Sequence, residues 1–378
     1  MKATAIVLAA AFVAGTASPS AAQLGGLGKL KTMGDKAVDA KNKLDDLSFS
    51  EEEERQLGEG VSLQLRNRFG VMQDEKVTKY VTLVGTLLGQ ASSRPKLGWK
   101  FIVLDTDGVN AFAAPGGYVH ITRGLLGLMK NEAELAGVLG HELTHITAKH
   151  TIRAIQKSKS VSLSADATGS ASGGGLRGQL IEKAIEASYK TILEGGYNRE
   201  DERDSDEVGA KLANTIGYAP NGIAEVLKKI QARNGSRQDR NGMFASHPAT
   251  KERISNNEKL IKSEKLNATA TADARYKQNI TFDAKPITEV ATSEEGAAGL
   301  AAGDKKKEEE KKPEEKKKGG SGLSAITGGK QQASTQQASS AGARGGVPDR
   351  DATGGPNKNA LNVKVSAAEL DAFKKGIA

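Results

Sequence analysis

The sequence contains no cysteine and few aromatic residues. None of its 378 residues is Cys, and Phe, Trp and Tyr together make up 4% of the chain. The absence of cysteine excludes disulfide bridges, thiolate metal sites, a cysteine nucleophile and a lipid-modified N-terminal cysteine. The low aromatic content, together with 44 glycines, indicates that part of the chain builds no hydrophobic core.

Long apolar runs are also missing. The run Ala3–Val13 is too short for a membrane helix, and no later stretch approaches the ~18–20 apolar residues that a span needs. This run follows Lys2 and precedes the small residues Ser20-Ala21-Ala22, which is typical of a signal peptide over residues 1–22. A buried N-terminal helix is the alternative. We therefore expect an exported periplasmic protein of a Gram-negative type bacterium, with no integral membrane span.

Positive charge is unevenly distributed along the chain. The net charge is +8, and residues 302–378 contain 15 Lys and Arg against 10 Asp and Glu. That segment therefore accounts for +5 of the net charge, and the remainder of the chain is nearly balanced. A balanced folded part argues against a nucleic-acid partner.

Composition divides the chain into further segments. Residues 23–48 show weak helical periodicity and are predicted to be a linker or a leading helix. Regular helix and strand patterns are concentrated in residues 49–270, after which we expect the core to run out. Residues 271–355, with a Lys/Glu block and a Gly/Ser/Ala/Gln tract, are predicted to be a low-complexity disordered linker or tail.

The end of the chain differs from this tail. Ser366 and Glu369 form a capping-box pattern within residues 356–378, and Leu370, Phe373 and Ile377 share one helical face. This pattern predicts a short helix that either docks on a partner or remains solvated.

Secondary-structure patterns in residues 49–270 indicate an α+β fold that is mostly helical. Three strand patterns cover Trp99–Leu104, Asn110–Ala113 and Tyr118–Thr122. One long helical pattern runs from Asn131 to about Ser158, and a Ser- and Gly-rich loop follows at residues 158–178. We expect a small β-sheet beside this long helix, with the loop as a lid over a cleft.

The chemistry is concentrated in the motif His141-Glu142-Leu143-Thr144-His145. Residues four apart lie on one face of a helix, so the two histidines can bind a single Zn²⁺. Glu142 lies one step round the helix, where a general base for zinc-activated water belongs. The motif therefore predicts one zinc ion per chain.

A zinc site with an open position needs a third protein ligand. His150 is nine residues from His141, about 180° round a continuous helix, so we expect it to face away. His120 lies on a predicted strand and is expected to be structural. The acidic stretch Tyr197–Asp206 is the better source, because so many carboxylates would repel one another without a cation.

These residues resemble metallopeptidase family forty-eight, the gluzincin family of the CAAX prenyl endopeptidases, HtpX and the periplasmic proteases BepA and LoiP. The similarity extends from about Phe49 to Ile261 and points to the soluble exported branch. It is carried by His141–His145, Glu202-Arg203-Asp204-Ser205-Asp206, Asn110–Gly117, Thr122–Leu126, Ser246-His247-Pro248 and Arg253-Ile254.

The resemblance implies roles for individual residues. Glu202 is the implied third ligand, with Glu200 as the fallback, and Asp206 is implied to orient a ligand histidine. His247 is implied to donate to the oxyanion or to occupy the open zinc position in a resting state; a turn residue before Pro248 is the alternative.

Further implied contributors lie around the metal. Tyr197 and Arg253 are weaker candidates for stabilising the transition state. The resemblance also implies that an extended substrate pairs with the strand residues Asn110, Ala111, Phe112 and Ala113, although an ordinary sheet strand without a ligand is the alternative.

The resulting functional hypothesis is a zinc endopeptidase that cleaves unfolded or misfolded envelope proteins for protein quality control. In this hypothesis Glu142 takes a proton from the zinc-activated water and returns it to the leaving amine. Two alternatives are a latent zinc protein that binds unfolded envelope proteins as a chaperone does, and a scaffold that recruits partners through its C-terminal tail.

Overall fold

The computed structural model describes residues 48–157, 175–234, 247, 250–290 and 360–377. The predicted signal peptide and the linker before Ser48 lie outside the described residues. So do most of the Ser- and Gly-rich loop and the larger part of the predicted low-complexity tract.

Helices make up most of the described structure. In chain order they are α1 (Glu51–Phe69), α2 (Glu75–Ala91), α3 (Arg123–Leu128), α4 (Glu132–Thr147), α5 (His150–Lys157), α6 (Gly175–Lys190), α7 (Arg199–Ile216), α8 (Gly222–Asn234), α9 (Thr250–Ser263), α10 (Asp273–Asn279) and α11 (Ala367–Lys375). A π-helical turn at Thr191–Gly195 follows α6.

Side-chain caps set where several of these helices begin. Ser50 forms a capping box with Glu53 at the start of α1, and the acids of the first turn lie at the favourable end of its dipole. Asn131 accepts from the Glu134 amide at the start of α4, and Asn198 caps α7 in the same way.

The sheet has three short strands, β1 (Lys100–Leu104), β2 (Ala111–Ala114) and β3 (Tyr118–Thr122). β3 lies in the centre, parallel to β1 and antiparallel to β2. A tight turn at Pro115–Gly117 joins β2 to β3. The predicted α+β, mostly helical fold with a small sheet is therefore confirmed.

Glycine is required in that tight turn. Gly116 has φ 72°, and a Cβ on it would lie 2.6 Å from the Glu54 carbonyl oxygen of α1. The close approach holds the sheet against α1.

Helix α4 is the buried centre of the domain. Every residue from Glu132 to Ile146 is buried, and α4 packs against α2, α7, α8 and β2. The backbones of α4 and α7 meet where two glycines face each other. A Cβ on Gly209 would lie 2.7 Å from the His141 nitrogen, and a Cβ on Gly140 would lie 2.9 Å from the Gly209 oxygen. Because Glu202 lies two turns before Gly209 on α7, this contact brings it beside the α4 histidines.

The prediction of one long helix from Asn131 to about Ser158 is wrong. α4 ends at Thr147, and Lys149 has φ 56°, in the left-handed region that a helix cannot continue through. α5 then begins at His150 in a new direction.

The expectation that the core runs out after Ala270 is also wrong. Tyr276 of α10 is 2% exposed, and Ile280 belongs to the same hydrophobic core. The predicted C-terminal helix is present as α11, and its Leu370 and Ile377 join that core as well. In the structure this helix docks on the chain's own domain.

Among the described residues, none of the helices combines the length and apolar character that crossing a bilayer requires.

Candidate metal centre and active site

Four side chains converge at the centre of the domain. His141 and His145 come from α4, Glu202 from α7, and His247 from the chain before α9; all four are buried. One donor atom from each lies within 4.8 Å of the others. The closest approaches are 3.0 Å between the Nε2 atoms of His141 and His145, and 2.8 Å between His247 Nδ1 and Glu202 Oε1.

The far side of the His141 ring is held by a carboxylate. Its Nδ1 lies 2.9 Å from Asp206 Oδ1, and a carboxylate can only accept, so Nδ1 carries the proton. The Nε2 atom of His141 therefore presents a lone pair to the other donors. This is the arrangement by which a carboxylate fixes the tautomer of a metal-binding histidine.

The far side of the His145 ring contacts another histidine, His150, which is not one of the four converging donors. His145 Nδ1 lies 2.9 Å from His150 Nδ1, while His150 Nε2 lies 3.4 Å from Asp204 and 3.5 Å from Asp201. The two carboxylates favour a proton on His150 Nε2, so His145 donates through its Nδ1. The Nε2 atom of His145 is then unprotonated, and like that of His141 it presents a lone pair to the other donors.

The expectation that His150 faces away is wrong. It rested on a continuous helix, whereas the left-handed Lys149 ends α4 and turns His150 back towards His145. His150 is not one of the four converging donors. A lysine gives no sequence signal for a left-handed residue, so periodicity alone could not have found this contact.

The donor atoms fit a metal ion. Two imidazole lone pairs 3.0 Å apart in a buried site repel each other unless a cation lies between them. Burial lowers the pKa of His145 well below its usual value, so protonation does not relieve this repulsion. Imidazole nitrogens with one carboxylate are the ligands that zinc prefers, and the cluster is able to bind one such ion.

Arg253 connects the two carboxylates of α7. Its Nε and Nη2 each donate to Asp206 at 2.7 Å, and its Nη1 lies 2.8 Å from Glu202 Oε2. Burial alone would raise the pKa of Asp206, but the charge and hydrogen bonds of Arg253 and His141 outweigh it and lower that pKa to about 2. Arg253 thus holds Asp206 and Glu202 in position beside the histidines.

Glu142 differs from every other acid of the site. It is fully buried, and neither of its carboxylate oxygens has a hydrogen-bond partner among the residues that the structure describes. The nearest charged neighbour is His247, whose Nε2 lies 3.7 Å from Glu142 Oε1. Burial raises the pKa of Glu142, which makes it a stronger base than an exposed glutamate.

Tyr197 packs on the metal-binding histidines. Its ring stacks on that of His145, with 3.8 Å between centroids, and its hydroxyl lies 2.8 Å from Thr151 Oγ1. In this arrangement the ring covers His145, and the hydroxyl is engaged with α5.

Two other candidates lie apart from the cluster. Glu200 is exposed in the first turn of α7, where its amide donates to Asn198. His120 is buried on β3, and its Nε2 lies 2.9 Å from Ser62 Oγ of α1. Neither belongs to the four converging donors.

The predicted substrate strand is an edge of the sheet. Ala111–Ala114 form β2, which pairs only with β3 in the described sheet and packs against α4. Asn110 and all of β2 are buried, and Phe112 stacks on Phe69 at 5.7 Å. The π-helical turn at Thr191–Gly195 packs beside this strand.

Comparison with known proteins gives a consistent result. Residues 75–261 match Peptidase family M48. The beta-barrel assembly-enhancing protease of Escherichia coli (strain K12) is 27% identical over 208 residues, which cover 53% of this chain and 42% of that protein. From the same organism, metalloprotease YcaL is 28% identical over 48% of this chain and 68% of its own length. Metalloprotease LoiP is 27% identical over 48% of this chain and 69% of its own length. This chain thus spans less than half of the first relative's length.

Proposed function

The chain carries a peptidase domain of family M48, and on that premise we propose that the protein is a zinc-dependent endopeptidase. Its substrates are unfolded or misfolded envelope proteins, and its role is protein quality control. The observation that carries the proposal is Glu142, a buried carboxylate that has no hydrogen-bond partner within the described part of the chain and that follows directly on His141 of the four-residue cluster.

The residues divide the work of peptide hydrolysis. His141, His145 and Glu202 would hold the zinc ion, which when bound acidifies water and polarises the scissile carbonyl. Glu142 accepts the proton of the attacking water and delivers it to the leaving amine. The raised pKa of Glu142 suits both steps, because a more basic carboxylate takes up the proton of the water more readily and can then pass it on.

Substrate binding is proposed at the edge strand β2. Main-chain hydrogen bonds to Asn110 and Ala111–Ala113 would bind an extended peptide with little sequence preference, which suits a protease that acts on unfolded segments. Pairing with a strand edge requires an extended segment, and Asn110 and β2 are buried beside Thr191–Gly195. Folded proteins would then be poor substrates.

The location is proposed to be the periplasm. The predicted signal peptide supports it, and so does the similarity to a beta-barrel assembly-enhancing protease. The envelope substrates rest on the same two observations.

A second function, a latent zinc protein with chaperone-like binding, is favoured by the position of His247. Its Nδ1 lies 3.2 Å from His141 Nε2 and 2.8 Å from Glu202 Oε1, among the metal donors. A histidine in that position would fill the place that a substrate carbonyl needs. His247 would then have to leave the cluster before a substrate could bind there. Only after that could a side chain stabilise the oxyanion of the reaction.

The experiment is proteolysis of casein by the mature chain, compared with a chelated sample, a zinc-restored sample and Glu142→Gln. We expect cleavage that requires zinc and falls about 10²–10⁴-fold in Glu142→Gln. Bound zinc without cleavage, together with cleavage by His247→Ala, would favour the latent form. A chain that binds no zinc at all would contradict both.

A further inference from the structure

The C-terminal segment, residues 360–377, packs on the peptidase domain far from the metal donors. Leu370 and Ile377 are 5% and 4% exposed and belong to the main hydrophobic core. Val365 and Phe373 pack against the same core while partly exposed. Residues 291–359, rich in Gly, Ser, Lys and Glu, connect this segment to the rest of the chain.

The contacts on either side of the segment are specific. The Phe373 ring meets that of Tyr80 edge-on, with 6.1 Å between centroids, and Tyr80 meets Tyr276 in the same way. Lys79 Nζ lies 2.5 Å from Glu369 Oε1, and Glu369 closes the capping box with Ser366. The docking surface is thus formed by α2 and α10.

One guanidinium joins this segment to the first residue of α4. Arg275 lies over the Phe373 ring at 4.0 Å and donates to the Phe373 carbonyl oxygen at 3.0 Å. The same side chain donates through Nε to Glu132 Oε1 at 2.6 Å and pairs with Glu132 Oε2 through Nη2. Gly376 allows this close approach, because a Cβ there would lie 2.6 Å from Arg275 Nη1.

Glu132 depends on this arrangement. Its carboxylate is fully buried, pairs with Arg275 and accepts from the Tyr218 hydroxyl at 2.9 Å. A buried carboxylate that loses its cation is strongly destabilised. Glu132 begins the helix that carries His141 and Glu142, about 14 Å along the axis.

We infer that residues 360–377 are a separable docking segment that secures Arg275 against Glu132 and thereby fixes the first turn of α4. The surface formed by Lys79, Tyr80, Arg275 and Tyr276 recognises an amphipathic helix, and its occupant is the chain's own segment. The inference rests on packing and charge, and does not depend on peptidase activity.

The test uses the full chain carrying Leu370→Asp, which places a charge in the docked core face and displaces the segment. A labelled peptide of residues 360–378 is titrated against this variant and against the unchanged chain. We expect saturable binding to Leu370→Asp and at least tenfold weaker binding to the unchanged chain, whose surface is already occupied. A peptide that itself carries Leu370→Asp is the control for non-specific binding.

The second readout is hydrogen exchange in residues 132–138, the start of α4. We expect exchange about tenfold faster in Leu370→Asp, with protection restored when the wild-type peptide is added. Asp371→Ala, an exposed change on the same helix, should exchange like the unchanged chain. Phe373→Ala, which removes the ring contact without adding a charge, should show the same effect in smaller measure.

Arg275→Lys separates docking from its effect on α4. Lysine keeps the charge but loses the fork that reaches both Phe373 and Glu132. We expect that α4 stays unprotected in the Leu370→Asp/Arg275→Lys double variant even at saturating wild-type peptide. Absence of peptide binding to Leu370→Asp, or unchanged exchange of residues 132–138 in that variant, would overturn the inference.

Discussion

His150 lies directly behind His145, with 2.9 Å between their Nδ1 atoms, although α4 ends between them. A metal-binding histidine usually donates its other ring N–H to a carboxylate, a carbonyl or water. Here the acceptor is a second neutral imidazole, because burial lowers the pKa of His150 despite the neighbouring Asp201. Asp201 and Asp204 lie 3.5 and 3.4 Å from the Nε2 atom of His150.

Replacing His150 tests this arrangement. His150→Ala removes the acceptor that keeps His145 Nε2 bare, so we expect zinc affinity to fall about 10–100-fold. The measurement is competition with a chromophoric chelator. Arg153→Ala, an exposed change on α5 next to Asp201, should leave the affinity as it is. Equal affinities for the two variants would remove His150 from the metal site.

The glycine contact between α4 and α7 gives a second prediction. Gly209→Ala would place a Cβ 2.7 Å from the His141 nitrogen, so the helices must separate and Glu202 must move away from the histidines. We expect a loss of about 1–3 kcal/mol in the free energy of unfolding and weaker zinc binding. Urea unfolding and chelator competition measure the two effects.

A matched glycine provides the control for that change. Gly178 lies in α6 with nothing within 4 Å of an added Cβ. Gly178→Ala should stabilise the protein by about 0.5–1 kcal/mol through helix propensity alone. If both substitutions stabilised the protein equally, the proposed close approach would be wrong.

Arg253 is expected to be essential for the stability of the domain, because it pairs with two buried carboxylates. Arg253→Gln leaves the buried Asp206 without its cation, and we expect a loss of about 3–5 kcal/mol in the free energy of unfolding of the zinc-loaded protein. Arg253→Lys should recover only part of this loss, because lysine cannot bind Asp206 through two donors. Lys259→Gln, exposed on the same helix, should have almost no effect in urea unfolding.

The buried His120 predicts a dependence of stability on pH. Burial lowers the pKa of His120 to about 3, from 6.5 in the unfolded chain; the nearby Arg66 lowers it further and Glu59 opposes. The unfolded state therefore binds more protons, so this group's contribution is complete above pH 6.5 and is lost as pH falls towards 3.

Comparison with His120→Gln isolates this contribution, since Gln can also bond Ser62. Between pH 6.5 and about 4 the wild type should lose about 3 kcal/mol more than the variant in urea unfolding. Parallel loss in the two proteins would assign the acid sensitivity to other groups.

Local signals in the sequence account for much of the fold and for part of the site. The caps at Ser50 and Asn131 act within one turn, so the helix starts follow from neighbouring residues. The spacing of His141 and His145 likewise fixes one helix face. The acidic stretch at the start of α7 supplied the carboxylate donor of the cluster, with Glu202 chosen through the family resemblance.

The rest depends on tertiary contacts that no local pattern encodes. Lys149 takes a left-handed conformation that its side chain does not favour, so packing of α5 must impose it. His247 reaches the cluster from outside a regular element, and its distance from Glu202 follows from how α9 packs. The sequence around Tyr276 is polar, and its apolar partners, among them Tyr80, are distant in sequence, so local composition does not indicate that it is buried.

The contact of Phe373 with Tyr80 also bears on how the domain folds. Tyr80 is synthesised early and Phe373 late, so a nascent chain can form α1 to α8 while this part of its core is still unfilled. Contacts between residues so distant in sequence slow folding, because the intervening chain must be closed into a loop first. Completion of the core therefore waits for the segment that carries Phe373, and α4 gains its last support only when that segment docks.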